Sequence, residues 1–408
     1  MNTPRMSLLE IFDAALRVVD GRRCVRERLR QRPLKGQISL VAVGKAAAAM
    51  AAGAREMVGE HIVSALVISK PGHLDSVSAS LPGWELFEAG HPLPDSRSLA
   101  AGDRLIAFLQ QEPQRQLLFL LSGGASSLVE SPVDGVGGDF LVRANRWLLG
   151  SGLAIGEMNR VRKALSRIKG GGLLHWVGDR PVTVLAISDV PGDEPDVIGS
   201  GLLISEVITP DGMENLSLPG WLDSVVRQAT RQRRIYGGHG PVIEIIANLG
   251  QAKAAAAREA RKLGYRVKVV DEFVTGDATA AGVRLADELK VAEPGVTIWG
   301  GETTVVLPPE PGQGGRNQHL ALAAAGALQG HDNLWFLAAG TDGTDGPTED
   351  AGALVDGATL TRARNAGFDP DQALRQADSG SLLAASGDLV TTGPTGTNVM
   401  DLMLGLKL

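Results

Sequence analysis

Residues 117–132 read LLFLLSGGASSLVESP: five apolar residues, then Ser122-Gly123-Gly124-Ala125-Ser126-Ser127. A run this apolar needs cover on both faces, the condition of a strand in a parallel sheet. Such a strand delivers its turn to the carboxyl edge, where open α/β sheets bind ligands. The turn carries no bulky side chain, so its backbone N–H groups can approach an anion. The pattern recurs outward in both directions. Upstream, strand 39–43 ends at Gly44-Lys45 and runs into the alanine-rich helix AAAAMAAGAREMV, strand 65–69 ends at Lys70-Pro71-Gly72-His73, and strand 84–89 ends at Gly90-His91-Pro92. Downstream, strand 183–187 leads to Ser188-Asp189-Val190-Pro191-Gly192-Asp193, 296–299 to Gly300-Gly301-Glu302, 334–338 to Gly340-Thr341-Asp342, and 388–391 to residues 392–398.

Helical spacing covers 7–31, 98–110, 250–263, 276–290 and 317–328, with strands expected at 242–247 and 265–270. Strand and helix alternate, which predicts two doubly wound α/β domains. A chain of 408 residues is too long for one ordinary core, and the alternation breaks at 204–241. The expected division is therefore 1–236 and 237–408.

Composition narrows the function. The formal net charge is −6, so no basic face is expected and nucleic acid is excluded as a partner. The single cysteine, Cys24, allows no intramolecular disulfide, and seven scattered histidines add no zinc cluster. No apolar run approaches the ~18 residues of a membrane span, and Glu10, Asp13 and Asp20 interrupt the first helix where a signal peptide would be apolar. A cytoplasmic enzyme without a membrane partner is the expectation. Fifty-two glycines far exceed the ~7% average, and most follow apolar runs.

The usual nucleotide loops are missing. Gly44-Lys45 continues with Ala46 and lacks the Walker A spacing, and no G-x-G-x-x-G, G-x-S-x-G or H-E-x-x-H occurs. What remains is a set of small-residue turns carrying selected polar side chains. Lys45 stands at a strand-to-helix turn, where an ammonium opposes the helix dipole but reaches a phosphate as a point charge. Gly314-Gly315-Arg316-Asn317-Gln318 places a guanidinium and two amides before a helix, suited to bidentate grip of an oxyanion. Asp189 and Asp193, with Glu302, Asp342 and Asp345, could hold Mg²⁺ through oxygen, though as turn formers they need no metal. Asn159, Arg162 and Lys163 gather amide and positive charge on one helix; His73 and His91 read as packing residues of their loops.

These residues make the chain resemble the class II glycerate 2-kinases, whose C-terminal region is called the MOFRL domain. The resemblance rests on VAVGKAAAAM (41–50), GHPLPDSRS (90–98), LLSGGASSL (120–128), NRVRKALSRIKGG (159–171), ISDVPGD (187–193), GGETTV (300–305), GGRNQHLALA (314–323), AAGTDGTDGPTEDAGA (338–353) and GDLVTTGPTGTNVMDL (387–402). It implies two dissimilar three-layer α/β/α domains, the first Rossmann-like, with the active site in the cleft between them and the MOFRL region at about 296–402. It also implies ATP-dependent phosphorylation of the 2-hydroxyl of D-glycerate with Mg²⁺, by a monomer or homodimer. Lys45 and Arg316 match the family's essential cations, and Ser122, Gly123, Gly124 and Ser126 its phosphate-cradling loop. Asn159, Lys163, Glu302, Asn317, Asp342, Thr395 and Asn398 are the remaining expected binding residues. Asp189 and Asp193 are the expected metal ligands, with Asp189 also the first candidate base. The chain departs from the family pattern at Ala164 (usually histidine), Gly172 (usually arginine), Leu202 in a segment usually reading S-G-P-T-V-P-D, and His319 (usually glutamate). A hydroxypyruvate reductase using NAD(P)H and a non-catalytic nucleotide or sugar-acid sensor are the rival readings.

Overall fold

The computed structural model describes residues 3–74, 83–111, 115–209, 211–213, 215–232, 236 and 240–408. The chain divides into two units, Gly21–Ile246 and a second made of Met1–Asp20 with Ala247–Leu408.

The first unit is built on β1 (Ile38–Val43), β2 (Ile62–Ser69), β3 (Glu85–Glu88), β4 (Gln116–Leu121), β5 (Val182–Ile187) and β6 (Ile243–Ala247), in the order β3-β2-β1-β4-β5-β6. The pairs of β3 with β2, β2 with β1, β1 with β4 and β4 with β5 are parallel. Every residue of β1, and all of β4 after Gln116, is buried, as the unbroken apolar runs require. Val43 pairs with Leu121 and Leu121 with Ala186, so these strands end level and their turns lie along one edge. The order reverses between β1 and β4, the kind of switch point at which doubly wound sheets bind ligands.

The strand expected to open the second domain, 242–247, is instead the sixth strand of this first sheet. The division accordingly falls after residue 246, ten residues beyond the expected one. The composition shift at 204–241 marks a helical layer of the same unit. There Gly220–Gln232 joins Gly138–Gly150 and Ile155–Ala164 around Leu141, Leu148, Val161, Leu222 and Val226. The glycine-rich part of that stretch, 237–239, lies outside the described residues.

The second unit contains β7 (Val267–Val274), β8 (Gly295–Gly301), β9 (Leu334–Gly340), β10 (Gly352–Asp356), β11 (Leu389–Val390) and β12 (Asp401–Lys407), ordered β11-β10-β9-β12-β8-β7. Only β7 and β8 pair in parallel; the other pairs are antiparallel. The expectation of a second doubly wound sheet is thus corrected. The causes are β12, which lies between β8 and β9 and runs against both, and β10, which runs against β9 and β11. Its core gathers Trp299, Leu320, Phe336, Val355 and Met403. The helix expected over 7–31 breaks at Asp20 into Pro4–Val19 and Gly21–Gln31. Its first half belongs to the second unit: Ser7 Oγ receives the Tyr265 hydroxyl at 3.1 Å, and Arg5 donates to Leu354 O at 2.7 Å and to Asp388 Oδ1 at 2.8 Å. Among the described residues, no helix is long and apolar enough to cross a membrane.

Candidate active-site residues

In the first unit the turns after β1 and β4 are tied into one piece. Ser122 N donates to Val43 O at 3.0 Å, Lys45 N to Gly123 O at 2.9 Å, and Ala46 N to Ser122 Oγ at 3.0 Å. Gly44, at φ +132°, makes this possible: a Cβ there would lie 2.1 Å from Ser122 Oγ. Lys45 is half-buried, and its Cγ would stand 3.3 Å from a Cβ on Gly124, which His91 Nε2 would approach to 3.1 Å. The structure therefore brings Lys45, Ser122, Gly123 and Gly124 together, with His91 beside them.

Past Gly124 lies a cavity of about 120 Å³, bounded by residues 92–94, by Gly124, Ser126 and Ser127, and by Asn145, Arg162 and Lys169. Ser126 Oγ is 2.6 Å from Ser200 Oγ. Arg162 Nε donates to Asn145 Oδ1 at 2.9 Å, and Nη1 to Asn159 Oδ1 at 3.5 Å. Burial lowers the Arg162 pKa from its ordinary value, against a partial opposing pull from Glu130. The fully buried Lys169 ammonium donates to Glu130, whose other oxygen accepts from Ser131 N. Lys163, one residue beyond Arg162, does not line this cavity; it is buried and paired with Glu206. Asp189 and Asp193 follow β5 and are half-buried, Asp193 at φ +58°. Among the described residues, no three His, Cys, Asp or Glu side chains form a metal-holding group.

In the second unit the antiparallel β12 has a consequence for chemistry: its first residue, Asp401, pairs with the last residues of β8 and β9, Gly301 and Gly340. A buried carboxylate is thereby set beside Glu302 and the turn at Thr341-Asp342. Arg316, opening the helix Arg316–Leu328, donates through Nε to Asp401 Oδ2 at 2.6 Å and through Nη2 to Oδ1 at 3.0 Å, while Nη1 lies 2.8 Å from Glu302 Oε1. Burial opposes its charge, but Asp401, Glu302 and Asp345 outweigh it and hold the guanidinium above its ordinary pKa. Asp345 reaches the same helix start from outside, accepting from Asn317 N at 3.1 Å and Gln318 N at 2.8 Å. Burial raises its pKa to about 7; the hydrogen bond from Gln318 opposes the rise and Asp401 adds to it. Asp342 accepts from Thr344 N at 3.0 Å, and Thr395 Oγ1 donates to Thr341 O at 2.5 Å. Asn317 and Asn398 are buried. Asn317 Oδ1, Gln318 Oε1, Ser379 Oγ and Thr397 Oγ1 are buried with no partner among the described residues, a pattern native interiors rarely leave without a guest or ordered water. His319, at the departure from the family glutamate, is buried with Nε2 2.9 Å from Thr279 Oγ1; burial depresses its pKa against the pull of Asp277.

Asp401, Asn145 and Lys169, which the structure places against the expected residues, are absent from the sequence reading. An acidic residue standing directly before the apolar run 402–404 was the available signal for Asp401.

A family model described as Domain of unknown function (DUF4147) matches residues 7–216, and one described as MOFRL family matches 295–401. The D-glycerate 2-kinase of Thermotoga maritima is 38% identical, covering 98% of this chain and 97% of its own. The glycerate 2-kinase of Pyrococcus horikoshii is 32% identical over 91% of this chain and 88% of its own. A crystal structure of a glycerate kinase from Thermotoga maritima superposes with a TM-score of 0.84 at 37% identity, covering 99% of both chains.

Proposed function

Because the chain belongs to the class II glycerate 2-kinase family, we propose that it transfers the γ-phosphoryl group of ATP to the 2-hydroxyl of D-glycerate, giving 2-phosphoglycerate and ADP. The observation that carries this reading is the 38% identity along nearly the whole length of a D-glycerate 2-kinase. The residue geometry supports it. Phosphoryl transfer asks a protein mainly to position the reactants and to meet negative charge with preorganised donors. Lys45 supplies a point charge above a turn whose glycines expose the backbone, and Arg316 supplies a planar fork. Asp401 fixes that fork from its buried side; Glu302, whose side chain is 43% exposed, is the partner that an incoming phosphate displaces.

Asp189 takes the proton of the attacking hydroxyl, acting as general base. Hard oxygen donors on Asp189 and Asp193 suit Mg²⁺, which needs few carboxylates when phosphates complete its shell and which neutralises their charge when bound. A reductase reading lacks the dinucleotide fingerprint it would need.

The test is an ATP-consumption assay over D-glycerate, L-glycerate and hydroxypyruvate, with ³¹P NMR of the product. D-glycerate is expected to give 2-phosphoglycerate. NADH-dependent reduction of hydroxypyruvate without any phosphorylated product would overturn the reading.

A further inference from the structure

Among the described residues Arg162 forms no ion pair. It is half-buried, and its two hydrogen bonds go to neutral amide oxygens of Asn145 and Asn159. The acidic group whose charge it feels, Glu130, is already held by Lys169 and the Ser131 amide. Two cations, Arg162 and Lys169, line the cavity; Glu130, which is not part of the lining, offsets Lys169, so the charge left facing the cavity is that of Arg162. Desolvating a charge with no opposite partner is costly, and burial does weaken the hold of Arg162 on its proton. An anion entering the cavity removes that penalty.

The cavity selects the anion. At about 120 Å³ it is well below the ~300 Å³ at which drug-sized ligand pockets begin, so it has no room for a nucleotide. Leu93 and two prolines form one wall, which suits a short carbon chain. Asn145 holds Nε, which orients the guanidinium plane and leaves Nη2 with no hydrogen bond among the described residues. A planar fork with free donors matches a carboxylate in two parallel bonds.

We infer that Arg162, oriented by Asn145 inside the cavity behind the Ser-Gly-Gly turn, binds the carboxylate of the hydroxy-acid substrate and sets the preference for a small monocarboxylate. The inference rests on the kinase reading above and names the group that recognises the acid. It also gives Asn159 a role, as the second amide that holds the arginine, and it moves substrate recognition from Lys163 to its neighbour. ATP phosphate offers the same anionic chemistry, and the assay separates the two.

The experiment compares wild type with Arg162→Gln, using D-glycerate and its neutral amide, glyceramide, as acceptors. Losing a charge-assisted contact should raise KM for D-glycerate by roughly 10-fold to 100-fold, and KM for ATP and KM for glyceramide by much less. The wild-type preference for acid over amide then collapses in the variant, which a merely structural role for Arg162 would not produce. Should Arg162→Gln not fold, Arg162→Lys carries the same comparison, keeping the charge but losing the fork. An unchanged acid-over-amide ratio, or a rise confined to KM for ATP, overturns the inference. Absence of any D-glycerate phosphorylation by the wild type would instead overturn the kinase reading.

Discussion

Arg316 and Lys45 have the same proposed task but stand in different surroundings, and their removal separates the effects. Lys45→Ala should lower kcat by ~10³-fold, by analogy with arginine-finger losses, with little change in melting temperature. Arg316→Ala should lose activity comparably and also destabilise, because Asp401, 1% exposed, is left as an uncompensated carboxylate. That cost is about 3 kcal/mol. Adding Asp401→Asn should recover most of the melting temperature and none of the turnover, which calorimetry and kinetics on the double variant check. Asp345 makes a second prediction. Its pKa of about 7 lies above the ordinary 3.8, so the folded state binds its proton more tightly than the unfolded chain does. The sign follows: stability falls as pH rises from about 4 to about 7 and is flat beyond. Urea titrations across that range should show the fall in wild type, and Asp345→Asn should flatten it. Neither residue's environment was legible in sequence, because both are buried by segments far along the chain; only the presence of acids after strands could be read.

At the level of elements, apolar runs followed by small residues located most strands within a few residues, since fully buried strands have no polar face to confuse the pattern. The sequence reading failed where that pattern is interrupted. Gly405 sits within β12, and the run 401–407 follows a loop rich in turn residues, so the strand merged with its motif. Strand direction left no mark in the residues, and the second sheet was therefore expected to be parallel. Gly172 shows the reverse case, a departure from the family arginine that the structure explains. A Cβ at this position would lie 2.0 Å from the carbonyl oxygen of Arg167. Gly172→Arg should therefore lower the melting temperature rather than improve catalysis, since backbone in close contact cannot yield as a flexible side chain can. A thermal melt paired with a D-glycerate assay decides it.

For the whole molecule, the decisive fact is that the second unit is assembled from two distant pieces of chain. The helix Pro4–Val19 buries Leu8, Ile11 and Phe12 against it. Phe12→Ala should cost about 3–5 kcal/mol. Hydrogen exchange should then accelerate in the helix Leu249–Lys262 and in β12, while β1 and β4 keep their protection. The opposite distribution would assign the helix to the other unit. Sequence gave no hint of this pairing, because an amphipathic helix records that it has a partner face but not which one.

That discontinuity bears on how the protein is made. The helix Pro4–Val19 leaves the ribosome well before its partners, which begin at residue 247, and the central β12 follows the other strands of its sheet. The contiguous Gly21–Ile246 segment has all its strands in hand earlier, so it can complete its core during synthesis. The opening helix meanwhile keeps an apolar face without cover. Late, long-range closure of the second unit lengthens the interval in which the newborn chain is exposed to chaperones and to aggregation.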